Sequence, residues 1–368
     1  MLRVLSIGRH ACIRQQKQLI ALRKYVDIHL LTEKSVSFGQ YARTLTRYMT
    51  QAQFRDAIRM LHDRVDLYHV HTEPFWYVQA IREVFPDAPI ILDLHDSQYL
   101  RFPDEPAKHS TEERAAIEQA DALVYVSEGC RAIIEEWVPQ AEGKPHAILP
   151  SYVNERFYKL LPWGRVGGLA NEGRMDTKKA GPWYDYCKYH DLTEAMHQAG
   201  LPFYLYGNND EKTCAEYDRL GAETMGQHGY ESLIRNLGSH DWGLCGNLAP
   251  YPEWAVAFPN KLFEYLAAGI PVVAMHADAV AEFVVPRGLG IQVSSVAELK
   301  ARWEERARCQ AEVFKQRFDW TMEKHVHRLT ELYDRLLGPR IHRLSPERAS
   351  SGGRDNGDAV AAPGLARA

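Results

Sequence analysis

The sequence predicts an α/β protein built from two successive parallel sheets, each with helices on both of its faces. Three observations lead to this prediction. Short apolar strands alternate with helical stretches over the first 150 residues, and a second set with the same rhythm begins near residue 167. Residues 150–168, rich in proline, glycine and aromatic side chains, separate the two sets. Two doubly wound domains joined by a short connection account for this order.

The first half carries apolar runs of strand length with helical periodicity between them. We predict strands at 3–8, 27–32, 67–72, 90–96, 122–127 and 147–150, and helices near 13–24, 41–62, 74–85, 110–120 and 128–138. Because strands that alternate with helices pair in parallel, all of these strands should belong to one sheet.

The second half repeats the pattern. We predict strands at 167–171, 203–207, 241–245, 271–275 and 289–293, followed by terminal helices at 296–316 and 320–337. Residues 340–368 contain mostly Ser, Gly, Ala, Arg and Pro with few large apolar side chains, so we predict a disordered tail there.

Composition narrows the class of protein. The formal net charge of -4 argues against a general nucleic-acid-binding protein. The six cysteines form no Cys-x-x-Cys pair and no zinc-like spacing, which favours a reducing cytoplasm and no metal site. Arginines at 3, 9 and 14 interrupt the first apolar stretch, so no signal peptide is expected, and no apolar run is long enough to span a bilayer.

The most informative segment is 259–274, which reads PNKLFEYLAAGIPVVA and predicts a short helix followed by a buried strand. Asn260 is expected to cap the helix, Gly269 to end it in a left-handed turn, and Pro271 to stop it from continuing. Glu264 is an acid on an otherwise apolar helix. A helix N-terminus suits a phosphate, and a carboxylate one turn further in can accept hydrogen bonds from a ribose. The pattern indicates a nucleotide site; the alternative is a carboxylate satisfied in the core.

This segment resembles the donor-binding helix and following strand of GT-B glycosyltransferases, especially those of family 4. Lys261, Glu264, Gly269 and Pro271 stand in register with that family's pattern. The resemblance implies two Rossmann-like domains that face a cleft. The implied acceptor domain covers 1–155 and the donor domain 163–318, and a terminal helix at 319–338 crosses back to the first domain.

The resemblance also implies a donor site. The loop at 173–179 is similar to the family's Gly-Arg…Lys-Gly loop, in which Arg174 would pair bidentately with a phosphate and Lys179 would supply a point charge. A solvated basic loop is the alternative. The remaining donor contacts would come from the start of the helix and from its acid, at Asn260, Lys261, Leu262 and Glu264.

Ligands bind beyond the carboxyl ends of parallel strands, so the residues there are candidates for the acceptor side. His95 follows the 90–96 strand and resembles a family histidine that faces the donor sugar and the acceptor; its neighbour Asp96 is the rival catalytic residue. Gly8 fits the glycine of the family's first loop. His10 and His71 follow neighbouring strands and are candidate sugar or acceptor contacts.

One departure from the family pattern leaves the stereochemistry open. The family has two glutamates eight positions apart, and the position eight residues before Glu264 is Val256. Glu253 lies three residues earlier and substitutes only if the loop is reshaped. The donor sugar and the choice between retention and inversion therefore stay undetermined.

The resemblance implies a glycosyltransferase that moves a sugar from a nucleotide-diphosphate sugar to an acceptor hydroxyl, expected to be retaining and metal-independent. The nucleotide sugar is a co-substrate and no further cofactor is expected. The acceptor would be a carbohydrate or a lipid-linked sugar, as in glycan, glycolipid or surface polysaccharide synthesis. Two alternatives remain: a nucleotide-sugar epimerase on the same scaffold, and a non-catalytic nucleotide-sugar-binding protein.

Basic side chains accumulate in the first domain. The 41–64 stretch carries arginines beside apolar residues, and further positive charge nearby in sequence comes from Arg9, Arg14, Lys17, Arg23 and Lys24. A basic amphipathic helix can lie on an anionic membrane, although a solvated helix face is the commoner outcome. We therefore expect a cytoplasmic protein with a potential peripheral contact to the inner face of a membrane. The arginines of the stretch are Arg43, Arg47, Arg55, Arg59 and Arg64.

Overall fold

The computed structural model describes residues 1–10, 12–102, 110–178, 186–207 and 210–338. Within them the chain forms two parallel sheets, one of seven strands and one of six, each covered by helices. The predicted α/β class is confirmed, and every strand predicted from the sequence is present with small shifts in its ends.

The first sheet has the strand order β3-β2-β1-β4-β5-β6-β7. Its strands are β1 (Arg3–Gly8), β2 (Asp27–Thr32), β3 (Thr44–Arg47), β4 (Leu67–His71), β5 (Ile90–Leu94), β6 (Ala122–Tyr125) and β7 (His146–Ile148). The α-helices between them are Ile13–Leu22, Gln51–Leu61, Trp76–Val84, Gln98–Arg101, Thr111–Gln119 and Glu128–Trp137, and 3-10 turns cover Gly39–Tyr41, His62–Arg64 and Pro139–Ala141.

The helix Glu155–Tyr158 leads into the second sheet, whose strand order is β10-β9-β8-β11-β12-β13. Its strands are β8 (Leu169–Glu172), β9 (Phe203–Tyr206), β10 (Glu223–Gly226), β11 (Trp242–Gly246), β12 (Val272–Met275) and β13 (Gly290–Val293). Its helices are His190–Ala199, Glu211–Arg219, Tyr230–Leu237, Pro252–Val256, Asn260–Ala268, Asp278–Val284, Val296–Ala301, Arg306–Gln316, Met322–His325 and His327–Leu337, with 3-10 turns at Trp303–Glu305 and Arg317–Trp320.

The strand β1 shows how the apolar pattern places helices on both faces of the first sheet. Val4 belongs to the same core as Leu19 and Leu22, on the helix that follows β1. Leu5 points to the other face and packs in a separate core with Phe54 and Ile58. Successive side chains of a strand alternate between faces, so a strand buried on both sides reads as a continuous apolar run.

The strand order sets the position of the cleft. β1 lies between β2 and β4, and β8 lies between β9 and β11, so each sheet reverses its winding direction there. In open parallel sheets this reversal opens a crevice at the carboxyl ends of the strands.

Two edge strands were missed by the sequence prediction. Residues 41–62 do not form one helix: the structure has β3 there, and Thr50 then caps a separate helix by accepting a hydrogen bond from the Gln53 N–H at 3.2 Å. β10 at the edge of the second sheet was also not predicted. Both strands are four residues long and largely exposed or half-buried, so neither contains the apolar run by which a central strand is recognised.

The expected positive surface of the first domain is smaller than its arginine content indicates. Arg43, Arg55 and Arg59 form ion pairs with Asp27, Glu83 and Asp56, respectively. The interpretation of Arg14 and Lys17 as added surface charge is wrong, because both side chains are fully buried.

The terminal helices also differ from the prediction in their bounds. The helix expected at 296–316 is broken by the 3-10 turn Trp303–Glu305, and the one expected at 320–337 is divided at Val326. The second part packs on the first sheet, where Tyr333 OH lies 2.8 Å from His69 Nδ1 and Arg328 donates to the Ile148 carbonyl at 2.8 Å. The tail predicted for 340–368 lies outside the described residues.

In the part of the chain that the structure describes, no helix has both the length and the apolar character needed to cross a membrane.

The contact between Tyr333 and His69 gives a test of how the terminal helix is held. Replacing Tyr333 with Phe should lower the free energy of unfolding by about 1–2 kcal/mol, because a buried imidazole nitrogen loses its hydrogen-bond partner. Urea unfolding followed by circular dichroism measures the change. The matched control is Tyr25→Phe, which removes the same hydroxyl from a partly buried tyrosine of the first domain. Equal free energies of unfolding for the two variants would contradict a stabilising hydrogen bond between Tyr333 and His69.

Candidate functional site

A cavity of about 260 Å³ lies between the carboxyl ends of the two sheets and is lined by both halves of the chain. The predicted residues His95 and Asp96 line its first wall, and Arg174, Asn260 and Lys261 line its second wall. The structure therefore brings together candidate residues from distant parts of the sequence. Glu253, named above as a substitute for the first glutamate, also lines the cavity. Lining residues that the sequence did not single out as site residues include Arg14, Arg101, Glu172, Tyr186 and Tyr189.

Glu264, the predicted ribose ligand, lies behind this cavity. Its carboxylate accepts hydrogen bonds from side chains of both halves of the chain. Lys17 Nζ donates to Glu264 Oε1 at 2.9 Å, and both side chains are almost fully buried. Tyr230 OH donates to the same oxygen at 3.2 Å, whereas Oε2 has no amine, amide or hydroxyl donor among the described residues. The neighbouring carboxyl of Glu172 shares a hydrogen bond with Glu264. A buried lone charge is costly, so Lys17 and Glu264 depend on each other.

A second carboxyl group, that of Glu172, lies beside Glu264 at the end of β8. Burial and the neighbouring Glu264 raise the pKa of Glu172 to about 8. Glu172 is therefore mostly protonated at pH 7. Glu172 and Glu264 together carry less negative charge than two ionised carboxylates would.

The helix Asn260–Ala268 begins one residue earlier than expected. Asn260 does not cap it: Pro259 occupies the cap position, and its side chain makes no capping hydrogen bond. The first turn therefore presents backbone N–H groups beside the cavity, lined here by Pro259, Asn260 and Lys261. At the other end Gly269 has a φ of 85°, as predicted for the left-handed turn. Leu262 is fully buried in the core, so any contact from it to a ligand comes from its backbone.

Lys261 is held toward the first strand of the second sheet. Its Nζ donates to Asn171 Oδ1 at 2.8 Å and lies 3.5 Å from Tyr189 OH. Burial alone would lower the pKa of Lys261, but Tyr189, Cys245 and Glu172 together raise it above its ordinary value. The ammonium group is therefore a fixed positive charge at the cavity.

The loop after β8 places Arg174 at the rim of the cavity. Its side chain is about half exposed, and Arg174 Nε pairs with Asp176 Oδ2 at 2.8 Å. Gly173 has a φ of 133°, and a Cβ on it would lie 3.8 Å from Lys261 Nζ, so the loop passes close over that lysine. Lys179 lies outside the described residues.

On the opposite wall, His95 is the centre of a cluster of ionisable side chains. Its Nε2 lies 3.4 Å from Cys12 Sγ and 3.4 Å from Asp96 Oδ2, and its Nδ1 lies 3.5 Å from Asp93 Oδ1. Burial alone would lower the pKa of His95, but Cys12, Asp96 and Asp93 raise it well above its ordinary value. His95 is therefore an imidazolium at neutral pH.

Arg101 joins the two walls. Its guanidinium pairs with Asp96 of the first domain and with Glu253 Oε2 of the second at 3.4 Å. Burial raises the pKa of Glu253, and Arg101 opposes this effect. Val256, at the position where the family pattern has its first glutamate, instead contacts Ser127, whose Oγ donates to its carbonyl. An acid thus reaches the cavity three residues before the expected position.

The remaining first-domain candidates do not line the cavity. His71 is 1% exposed and stacks on His69 with ring centroids 4.5 Å apart. His10 is exposed on the loop after β1. The Gln15 side chain packs against Gly8. A Cβ at that position would lie only 2.6 Å from Gln15 Oε1, so the Gln15 side chain would have to move.

His69, His71 and Asp93 each have one potential metal-ligand atom, and these three atoms lie within 4.8 Å of one another. Both oxygens of Asp93 are already engaged, by Arg14 Nε at 2.8 Å and by Gln18 Nε2 at 2.6 Å. The arginine also places a permanent positive charge where a cation would bind. We interpret the cluster as a structural link between β4, β5 and the helix Ile13–Leu22, and not as a metal site.

Sequence reasoning missed Arg14 and Lys17, although a signal was present. The two residues lie three positions apart and so share a face of a helix whose last four residues, Leu19 to Leu22, are all apolar and buried. Charged side chains on a buried helix face need partners, and here those are Asp93 and Glu264.

Part of the second domain matches a known family model. Residues 180–324 match the model described as Glucosyltransferase 3-like, C-terminal domain. No curated protein matches the chain.

Several solved structures share the fold of this chain. Sucrose-phosphate synthase from Thermosynechococcus elongatus superimposes with a TM-score of 0.70 at 16% identity, covering 91% of this chain and 99% of that one. HepE from Anabaena, in complex with UDP and glucose, gives 0.68 at 14% identity and covers 91% and 100%. A glycosyltransferase from Rickettsia africae gives 0.64 at 14% identity and covers 92% and 99%. The chain has the GT-B fold, and the family model and these neighbours together support a glycosyltransferase.

The raised pKa of Glu172 predicts a specific dependence of stability on pH. A carboxyl whose pKa is higher in the folded protein binds its proton more tightly there, so its contribution to stability falls as the pH rises from about 4.3 to about 8. Glutamine resembles the protonated form and does not titrate. Glu172→Gln should therefore melt near the wild-type temperature at pH 5 and roughly 2–4 °C above it at pH 8.5.

Differential scanning calorimetry at both pH values measures this change. Glu216→Gln is the control of opposite sign, because the Lys178 N–H donates to Glu216 at 3.0 Å and lowers the pKa of that carboxyl. That variant should lose stability at pH 8.5. A Glu172 variant less stable than wild type at pH 8.5 would show that its carboxylate is stabilised and would refute the interpretation.

Proposed function

We propose that the protein transfers a sugar from a nucleotide-diphosphate sugar to an acceptor hydroxyl in the cavity between its two sheets. The proposal rests on one observation: two walls of different chemistry face each other across this cavity. One wall has an uncapped helix N-terminus, Lys261 and Arg174, and the other has the His95 cluster. The first suits a diphosphate, and the second can orient and polarise a hydroxyl group.

The second domain would hold the donor. Backbone N–H groups at the start of the helix Asn260–Ala268 and the fixed ammonium of Lys261 favour an anion at that point. Arg174 at the rim would donate to the same diphosphate, and Lys179 in the following loop would add a further charge. These groups stabilise the negative charge that develops on the departing diphosphate, which is the main electrostatic demand of the transfer.

Glu264 would bind the ribose through Oε2, the oxygen that has no amine, amide or hydroxyl donor among the described residues. Its other oxygen would keep Lys17, so the carboxylate would join the first domain and the nucleotide at the same time. Because Glu264 lies behind the cavity wall, this assignment requires the side chains around Glu172 and Lys261 to yield to the nucleoside.

The first domain would orient the acceptor. His95 is charged, so it would act as a hydrogen-bond donor to the sugar or to the phosphate and not as a general base. Asp96 is paired with Arg101, which leaves positioning as its main contribution. In a retaining reaction the departing phosphate itself would accept the proton of the acceptor hydroxyl.

The solved neighbours support a nucleotide sugar as the donor. HepE was solved in complex with UDP and glucose, and AviGT4 is a glycosyltransferase involved in avilamycin A biosynthesis. Membership of family 4, a carbohydrate or lipid-linked acceptor, glycan or surface polysaccharide synthesis, and peripheral membrane contact through residues 41–64 remain predictions from the sequence.

Incubation with a panel of nucleotide sugars separates this proposal from its alternatives. Slow release of nucleoside diphosphate from one donor, accelerated by an acceptor, is expected of a transferase. Isomerisation of the sugar without release would instead indicate an epimerase, and binding without any turnover would indicate a non-catalytic protein.

Binding and turnover should separate on mutation of the two walls. Arg174→Ala should weaken nucleoside diphosphate binding by roughly 1.5–3 kcal/mol and leave the weak binding of the nucleoside unchanged, because a charge-assisted bond to phosphate is lost. His95→Gln should lower turnover by roughly 10²-fold or more with nearly unchanged diphosphate affinity. Calorimetry and a nucleotide-release assay measure the two effects.

Arg165→Ala is the control for Arg174, since Arg165 is a largely exposed arginine that does not line the cavity. Asp96→Asn is the parallel variant for His95. Full activity in the His95 variant beside an inactive Asp96 variant would move the role to Asp96. Full activity in both variants would reject this wall as the site of the reaction.

A further inference from the structure

Cys12 forms a thiol–imidazole pair at the edge of the His95 cluster. It is the N-cap residue of the ten-residue helix Ile13–Leu22, and its Sγ lies 3.4 Å from His95 Nε2. Cys12 is partly exposed, so a small reagent can approach it from solvent. A cysteine beside an imidazolium and at a helix N-terminus is stabilised as the thiolate, which is the reactive form of the side chain.

The pair lies among other charged side chains. Asp93 is paired with Arg14, and Asp96 is paired with Arg101, which Glu253 also contacts. Cys12 Sγ and Asp96 Oδ2 each lie 3.4 Å from His95 Nε2. Burial alone would raise the pKa of the Cys12 thiol, but His95 lowers it below its ordinary value. The other ionisable groups that face the pair are His10 and His71.

The other cysteines provide an internal comparison. Cys130, Cys187, Cys245 and Cys309 are buried, and burial raises the pKa of the Cys130 and Cys245 thiols to about 12. Cys214 is partly exposed like Cys12, but it lies on the helix Glu211–Arg219 of the other domain. Cys12 thus combines access with a positively charged neighbour, whereas Cys214 serves as a thiol of similar exposure without His95.

We propose that Cys12 is a site of covalent modification by electrophiles and peroxides, and that its modification controls the charge of His95 in the cavity. This goes beyond the glycosyl transfer proposed above and does not depend on it. Once the sulfur is capped, His95 Nε2 loses one of its two anionic partners and keeps Asp96. The wall that faces the second domain then changes both its charge and its shape.

The Cys12 thiolate can react with a peroxide or with an alkylating electrophile, and neither reaction needs a further reagent. With hydrogen peroxide the thiolate attacks one oxygen, an S–O bond forms and the O–O bond breaks. The departing hydroxide takes the proton of the His95 imidazolium and leaves as water, so the sulfur is oxidised to a sulfenic acid while the peroxide is reduced. With iodoacetamide an S–C bond forms, the C–I bond breaks and iodide leaves.

Competitive labelling tests the proposal on the wild-type protein. The folded full-length chain is treated with substoichiometric iodoacetamide between pH 5.5 and 9, and the labelled fractions of Cys12 and Cys214 are measured by peptide mass spectrometry. At pH 6 Cys12 should react roughly 10-fold faster, since its larger thiolate fraction outweighs the lower nucleophilicity of a thiolate of low pKa. The Cys12 rate should level off at a lower pH than expected of an ordinary thiol, because His95 lowers the pKa of Cys12.

The variant His95→Gln links this reactivity to the imidazolium. It should slow the labelling of Cys12 at pH 6 by roughly 5- to 10-fold and leave Cys214 unchanged, with folding checked by circular dichroism. Peroxide treatment followed by dimedone should trap a sulfenic acid at Cys12 in the wild type, and Cys12→Ser should abolish that adduct.

Matching pH profiles of Cys12 and Cys214 in the wild type would overturn the proposal, whether or not the variant folds. Unchanged labelling of Cys12 in a folded His95→Gln variant would overturn it as well. Neither readout requires glycosyl transfer, so a failure of the proposed function would leave the result interpretable.

Discussion

The arrangement of the cavity depends on one buried ion pair that joins the two halves of the chain. Lys17, on the helix after β1, reaches Glu264, on the helix before β12. Neither charge is exposed to water, so separation of the two helices would leave both uncompensated unless solvent entered between them. The pair therefore fixes the relative position of the helix that would bind the donor and of the wall that contains His95.

The same rule of paired charges extends over the whole cavity. Arg14 pairs with Asp93, Arg101 pairs with Asp96 and Glu253, and the pKa of Glu172 is raised until that acid is mostly neutral. What remains unbalanced on the second wall is positive: Lys261 and the uncapped helix end. A cavity organised in this way stabilises an anionic ligand at one wall and keeps an ordered, charged network at the other.

The sequence was sufficient where the signal is local. The central strands are apolar runs, and the 259–274 segment contains its own helix stop and strand start, so both were predicted with small errors at the ends. Charged residues whose burial depends on distant partners were not predictable in this way. Arg14 bonds to a residue 79 positions away and Lys17 to one 247 positions away, so their helix looked like a basic surface. The edge strands β3 and β10 failed for a different reason, because they bury too little to show an apolar run.

We expect the cavity between the sheets to bind a nucleoside diphosphate at the wall formed by β8 and the helix Asn260–Ala268. Hydrogen–deuterium exchange with UDP, GDP, ADP and dTDP tests it directly, since bound ligand stabilises the backbone that it contacts. We expect at least one of the four to slow exchange in peptides that cover 171–178 and 258–266. Slowed exchange confined to other parts of the chain, or no effect of any nucleotide at millimolar concentration, would contradict the account.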